Sequence, residues 1–504
     1  MYSCFHTTKI RKNCQYRYIM ISMIFRWIFI LFSSMLLLHA AQHVPKALRA
    51  GAFAADITPR EWPVRLIGNF GLTMAHKAAD PLHARALVLD DGSTKAAIVV
   101  VDSCHMPRAL LDAAKARAEK ATGIKAANML ISATHTHSAP PSRKERGSVS
   151  TTADPPNSAE IAYVDLIERQ IAQAVIEANK RLLPAQIGWG VRQEPGELNN
   201  RRWWMTPGSI PPDPFSETTD KVRMNPPPGS KDLIKPAGPT DPGFSVVCVR
   251  TAAGKPLAVL ANYSLHYVGG VPANQVSADY FGEFAKQIGE RLAADGAGPE
   301  FVGILSNGTS GDVNNIDFRK PRPRAGTYDR IRIVAGHLAD SAMEVYKQAK
   351  YSSVVPVRIE ERELPIRFRK PTPAQMERAR QFLAEPDEKK LPQRAKPYAE
   401  FLLALDMKPE FADVKLQTIR IGNLGIAAIP CEVFSEIGLE IKAKSPFETT
   451  FTIELANGHY GYLPTPEQHE LGGYETWMGT NQLENNASRQ MVAALLEMFA
   501  RMKQ

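Results

Sequence analysis

The sequence predicts an α/β fold, with mixed β-sheets flanked by helices in a single large catalytic domain. Three features predict it. Apolar strand-like runs recur along the chain, some joined by short Gly-containing turns and others by amphipathic helices. Hairpins make antiparallel pairs and helical crossovers make parallel ones, so the sheets should be mixed rather than purely parallel. The composition, 44% hydrophobic and 22% charged over 504 residues, is that of an ordinary globular protein and excludes a disordered chain. That length allows two to four domains, or one large enzyme domain with insertions running over about 50–504.

The N-terminus reads as a targeting segment. Lys9, Arg11, Lys12, Arg17 and Arg26 precede or interrupt an apolar stretch over 27–38, and the small residues Ala40 and Ala41 follow. This is the pattern of a signal peptide over 1–41, with an uncleaved N-terminal anchor as the alternative. The chain is therefore expected to be exported. Lys plus Arg is 61 against 52 for Asp plus Glu, but the first 41 residues hold five cations and no acid. The rest is close to balanced, which argues against a nucleic-acid partner. Cys104, Cys248 and Cys431 follow the leader at wide spacing, an arrangement that suits buried thiols and not a disulfide framework.

The elements follow in order. Runs over 84–89 and 95–102 flank Asp90-Asp91-Gly92 as a hairpin. Helical spacing over 108–122 stops at Gly123. A short strand over 128–133 ends in Thr134-His135-Thr136-His137-Ser138, and a long amphipathic helix covers 161–183. Residues 205–242 hold ten prolines and are expected to form an irregular insertion that borders the pocket. A second hairpin spans 244–250 and 257–265, a helix 277–294, a buried strand 301–305 and a helix 328–350. Residues 365–412 read as a peripheral helical excursion. A third hairpin over 416–421 and 424–429 precedes a helix at 435–444, a strand at 450–455 and a closing helix at 485–502. No internal repeat is legible.

Polar residues just after apolar strands are the candidates for chemistry, because strand-end loops on a rigid scaffold are where sites are built. His135 and His137 are two apart, so an extended backbone would point both rings into one cavity. His266 lies in the apolar run 257–268, where a lone histidine is more often a satisfied core residue. Glu432 follows Ile429-Pro430-Cys431 and could cap the next helix or bind a cation. Tyr462 sits in the Gly-rich turn of 457–465, usually a packing position. Together the four elements supply nitrogens and anionic oxygens that suit zinc with one open position, although spacing alone does not make them converge.

The ordered motifs resemble those of the neutral/alkaline non-lysosomal ceramidase family. They are Asp56-Ile57-Thr58-Pro59, Asp80-Pro81-Leu82-His83-Ala84-Arg85-Ala86, Ser132-Ala133-Thr134-His135-Thr136-His137-Ser138 and Ser277-Ala278-Asp279-Tyr280. Further along come Ser306-Asn307-Gly308-Thr309-Ser310-Gly311-Asp312-Val313, Pro430-Cys431-Glu432-Val433-Phe434, Gly461-Tyr462-Leu463-Pro464-Thr465 and Gly472-Gly473-Tyr474-Glu475. The resemblance implies one Zn2+ per chain on His135, His266, Glu432 and Tyr462. It implies His137 as the proton-transfer or orienting group, and Arg201, next to Arg202, as the essential arginine. Asp312 and Asn314 would contact substrate, with Asn314-Asn315 standing where the family pattern has a serine. The implied activity is hydrolysis of the amide of ceramide or another N-acyl lipid, with contact to a membrane surface for lipid access. The family's C-terminal immunoglobulin-like sandwich has no counterpart in the sequence, so a shorter bacterial-type relative is expected. The alternatives are a metal hydrolase of a different envelope or sugar-derived amide or ester, and a catalytically silent envelope binding protein on the same fold.

Overall fold

The structure is a computed structural model that describes residues 46–68, 71–144, 155–321 and 325–503. The expected targeting segment at 1–41 lies outside the described residues. Among the described residues, no helix is long and apolar enough to cross a membrane.

An eight-stranded mixed sheet and a four-stranded mixed sheet make the frame. The chain builds both from one arrangement used three times. The first unit holds β1 (Arg49–Asp56), β2 (His83–Asp90), β3 (Lys95–Val101), α1 (Arg108–Thr122), β4 (Met129–Ala133) and α2 (Ser158–Lys180). The second holds β5 (Leu183–Gln193), β6 (Gly243–Thr251), β7 (Pro256–Tyr263), α3 (Asp279–Leu292), β8 (Val302–Asn307) and α4 (Asp329–Gln348). The third opens with β9 (Val357–Arg367). Its helices α5 (Pro373–Ala384) and α6 (Ala395–Asp406) precede β10 (Phe411–Ile421), β11 (Leu424–Ala428), α7 (Ser435–Lys444), β12 (Thr449–Ile453) and α8 (Ala487–Lys503).

In each unit the first strand pairs antiparallel with the second, and the second antiparallel with the third. The third then pairs parallel with the fourth across a helix. A hairpin supplies the antiparallel pair, while a parallel neighbour needs a crossover, which α1, α3 and α7 provide. The connection between the first and second strand is long in every unit, at 57–82, 194–242 and 368–410.

Side chains alternate between the two sheet faces. On β2, Ala84, Ala86 and Val88 face helices α1 and α2, while Leu87 and Leu89 face the other way. That inner face, with Ile98, Leu130, Val247 and Ile304, packs on Val357, Ile419, Ile426 and Phe451 of the small sheet. Helices α3 and α4 cover the outer face of the large sheet beside Phe244, Tyr263 and Phe284, and α7 and α8 cover the small sheet around Ile437, Leu495 and Phe499. The layers are helix, sheet, sheet, helix.

Several expected boundaries move. The long helix starts at Ser158 on a capping box, with the Asn157 side chain accepting from Glu160 N and Glu160 accepting from Asn157 N. It ends at Lys180, because 183–193 is strand β5. His266 is not inside a strand, since β7 stops at Tyr263. The proline-rich stretch is not wholly irregular. Arg202–Met205, Val222–Met224 and Leu233–Pro236 form a small three-stranded sheet. Residues 365–412 begin and end in strand, with α5 and α6 between. Cys104, Cys248 and Cys431 are buried free thiols.

Candidate metal centre

The site lies where the carboxyl ends of the parallel strand pairs meet, the usual place for ligands in open α/β sheets. Corresponding strand ends of the three units supply it. The loops after the third strands carry His105, His266 and Glu432, and those after the fourth carry His135, Ser310 and Glu454.

His135, His266 and Glu432 form one buried cluster. The Nε2 atom of His135 lies 3.0 Å from His266 Nε2, 3.2 Å from His137 Nε2 and 3.2 Å from Glu432 Oε2. Glu432 Oε2 is buried and has no hydrogen-bond partner. On the far side of each ring, His135 Nδ1 donates to Cys104 O at 2.8 Å, and His266 Nδ1 donates towards Ser310 O at 3.2 Å. Those bonds set the ring orientations and turn both Nε2 atoms to one point. Ligands about 2.0–2.1 Å from a tetrahedral zinc stand about 3.3 Å apart, close to the spacings here. The residues present therefore fit a zinc ion.

The two rings of the THTH motif converge by a turn, not by strand alternation. His135 has a φ of 72°, and its ring stands at 88° to that of His137. His137 stacks on Tyr267 at 3.9 Å, and its Nδ1 is buried without a hydrogen-bond partner. Gly68 closes over the ring. A Cβ there would come within 2.5 Å of His137 Cγ.

Electrostatics follows the packing. Burial works against the charged form of Glu432, but His135 and His459 outweigh it and hold the carboxyl well below its usual range. Burial likewise disfavours a charged His135, yet Glu432 beside it pushes the imidazole well above its ordinary value. His137 and His266 are driven well below theirs by burial and by His135. Burial pushes the Tyr462 phenol well up. That phenol contacts both Glu432 and Arg201, and the Arg201 guanidinium sits 5.3 Å from its ring centre.

Of the two neighbouring arginines, Arg201 faces the cluster. Its Nε donates to Glu475 Oε1 at 3.0 Å, its Nη1 lies 3.3 Å from His266 Nε2, and its Nη2 is buried without a partner. Arg202 turns away, donating to Glu475 Oε2 at 2.7 Å and to Gly472 O at 2.8 Å.

Asn314 reaches the cavity wall, but its amide donates to Asn225 Oδ1 at 2.8 Å and its oxygen accepts from Ile316 N at 2.8 Å. Asp312 lines neither cavity at the cluster. Its carboxylate accepts from Ser435 N at 2.9 Å and Asn200 Nδ2 at 2.8 Å, and its backbone oxygen accepts from Arg201 N. Asp312 thus anchors the arginine segment.

Sequence reasoning passed over several neighbours. Glu454 accepts from Ser310 Oγ at 2.6 Å and Val433 N at 2.7 Å, which ties the loop that carries Ser310, the partner of His266 Nδ1, to the Glu432 loop. Burial raises its carboxyl to about 8. His459 lies 3.5 Å from Glu432 Oε1 and stacks on His105 with ring centres 4.2 Å apart. Only their places after equivalent strand ends, or in the Gly-rich turn, could have flagged them.

Two cavities meet at the cluster. The smaller, about 70 Å³, reaches His105 and His459. The larger, about 780 Å³, reaches Arg201, Asn314 and Met224. Gly68, His137, Tyr462 and Tyr474 line both. The long connections of the three units provide walls, with Gly68 from the first, Asn225 from the second and Arg394 from the third.

Two solved structures share this architecture. A ceramidase complexed with C2 superposes with a TM-score of 0.67 at 18% identity, over 91% of this chain and 75% of that one. A neutral ceramidase from Pseudomonas aeruginosa superposes with a TM-score of 0.63 at 19% identity, over 90% of this chain and 73% of that one. The chain has the neutral ceramidase fold. No family model matches it, and neither does any curated protein. At this identity the likeness carries the fold, and the ceramidase fold hosts the cluster at its strand ends.

Proposed function

We propose that the chain is a zinc-dependent hydrolase of linear amides, with the ion held by His135, His266, Glu432 and Tyr462. The observation that carries this reading is the convergence of His135 Nε2, His266 Nε2 and Glu432 Oε2 in a buried cluster that borders a cavity. When bound, zinc supplies the Lewis acid that acidifies a water molecule and polarises an amide carbonyl. The protein's own groups do the rest. Arg201 Nη2 offers a hydrogen bond to an oxygen that gains charge during attack. His137, kept neutral by its surroundings, takes a proton from water and returns it to the departing amine. Glu475 holds Arg201 in place by a buried ion pair.

Ceramide or another N-acyl lipid is the substrate class that the fold's relatives suggest, reached from a membrane surface by an exported protein. A second reading, a metal hydrolase of a more polar amide, is favoured by the asparagines and arginines of the larger cavity. Hydrolysis of N-acylsphingosine and of short N-acyl amines, before and after chelation and zinc return, tests the proposal. Zinc-dependent release of amine supports it. Absence of release from every amide with zinc bound would leave only a binding protein.

A further inference from the structure

We propose that Cys104, His135 and His137 form a second metal site, which takes a thiophilic ion such as cadmium and so blocks the zinc site beside it. The inhibition rests on the amide-hydrolase reading, while the site itself does not. The Cys104 sulfur and one nitrogen from each ring lie within 4.8 Å of one another. Cys104 Sγ is 3.6 Å from His135 Nδ1, and the Nε2 atoms of His135 and His137 are 3.2 Å apart. Around a zinc-sized ion, sulfur at about 2.3 Å and nitrogen at about 2.0–2.1 Å stand about 3.3–3.6 Å from each other, and a larger ion spreads them further. All three residues line the smaller cavity, which gives an ion a way in. The other two buried thiols have no such place. Cys248 lies on β6 and Cys431 sits in the core with Ile429 and Val433, and neither lines a cavity at the cluster.

The fold puts the sulfur there through the backbone. Cys104 lies just past β3, and its carbonyl oxygen accepts from His135 Nδ1 at 2.8 Å, which holds this loop against the ring. The two donor sets share His135 and differ in softness. His266 and Glu432 add an imidazole and a carboxylate, a set that suits zinc. Cys104 and His137 add a sulfur and an imidazole, and thiolate ligands select softer ions. As the sulfur–metal bond forms, the Cys104 thiol gives its proton to solvent, and no electron changes hands. An ion held this way occupies His137, which then neither takes nor returns a proton, and it competes for His135. Filling the thiolate site therefore stops hydrolysis.

The test uses the full-length protein, stripped by a chelator and reloaded with one equivalent of cadmium or of zinc. Cadmium on the wild type should give a thiolate-to-metal charge-transfer band in the ultraviolet, and X-ray absorption should find sulfur among its neighbours. In Cys104→Ser and Cys104→Ala the band should be lost. Cadmium affinity should fall about tenfold or more, since losing even an outer partner of a metal ligand costs that much. Cadmium added to the zinc-loaded protein should stop amide hydrolysis, and either variant should need about tenfold more of it, each measured against its own uninhibited rate. Bound cadmium without a sulfur neighbour, no bound cadmium, or a band equally strong in both variants overturns the proposal. The X-ray absorption needs no variant, so it decides even where a variant does not fold. Full turnover with cadmium on sulfur overturns the inhibition. If no amide turns over even with zinc, the hydrolase reading fails, while sulfur beside cadmium still upholds the thiolate site. Sulfur beside zinc as well upholds the thiolate site and overturns the zinc ligands proposed above.

Discussion

The Nε2 atoms of His135 and His266 stand 3.0 Å apart, and each ring turns its Nδ1 to a backbone carbonyl. Rings held this way turn both Nε2 atoms to one point beside Glu432, where a shared cation would bind all three groups. Replacing His266 by Ala removes one nitrogen and should lower zinc affinity at least tenfold, as read by competition with a chelator. Unchanged affinity would remove His266 from the ligand set.

Arg201 is the nearest guanidinium to the cluster, and one of its nitrogens is buried without a partner. Arg201→Lys keeps the charge but loses the fork. We expect kcat/KM on an N-acyl amine to fall about 100-fold or more, the usual cost of losing an oxyanion donor, with zinc content unchanged. A variant with normal kinetics contradicts the assignment.

Gly68 tests His137 without touching it. Its φ of 105° suits glycine, and an added Cβ meets the imidazole at 2.5 Å. Gly68→Ala should displace the ring, keep the zinc and cut kcat by about 100-fold, within the range of general acid–base catalysis. Loss of zinc in this variant would make His137 a ligand and not a proton carrier.

The predicted fold class came from hairpins and crossover helices, and both are present. Two long strands were not legible. In β5, Gly188 and Gly190 read as turn residues, but they let the strand approach Ala349 and Val345 of the neighbouring helical segment. In β9, Arg358, Glu360, Glu361, Arg362 and Glu363 hide a strand that is only partly buried. The threefold arrangement was hidden as well, because the connections at 57–82, 194–242 and 368–410 differ in length and chemistry. At the site, the histidine pair and Glu432 stand out in the sequence because they follow apolar runs directly. Glu475, Ser310 and Glu454 did not, because their importance comes from contacts across the fold.

Asn314 clasps the proline-rich connection through Asn225. Asn314→Ser should release that clasp and widen the larger cavity. We expect roughly tenfold higher kcat/KM on N-acylsphingosine, a change within the range of one altered pocket contact. An unchanged or lower value would show that the clasp does not limit bulky substrates.

Asp80 accepts from Ser277 Oγ at 2.5 Å and Ala278 N at 2.7 Å, and also from Tyr328. Burial nonetheless raises its carboxyl from 3.8 to about 6. A raised acid favours the fold while protonated, so its contribution is present below about pH 4 and is lost as pH rises through about 6, up to about 3 kcal/mol. Asp80→Asn lacks that loss. The difference in Tm, variant minus wild type, should climb between pH 4 and pH 6 and then level. A flat difference contradicts the shift.

The most direct measurement is zinc titration of chelator-treated protein, with amide hydrolysis followed at each step. Activity should return in proportion to zinc and saturate at about one ion per chain, and His135→Ala should regain neither. Full hydrolysis by the zinc-free protein, or normal zinc binding and turnover by His135→Ala, would contradict a catalytic metal held at this cluster.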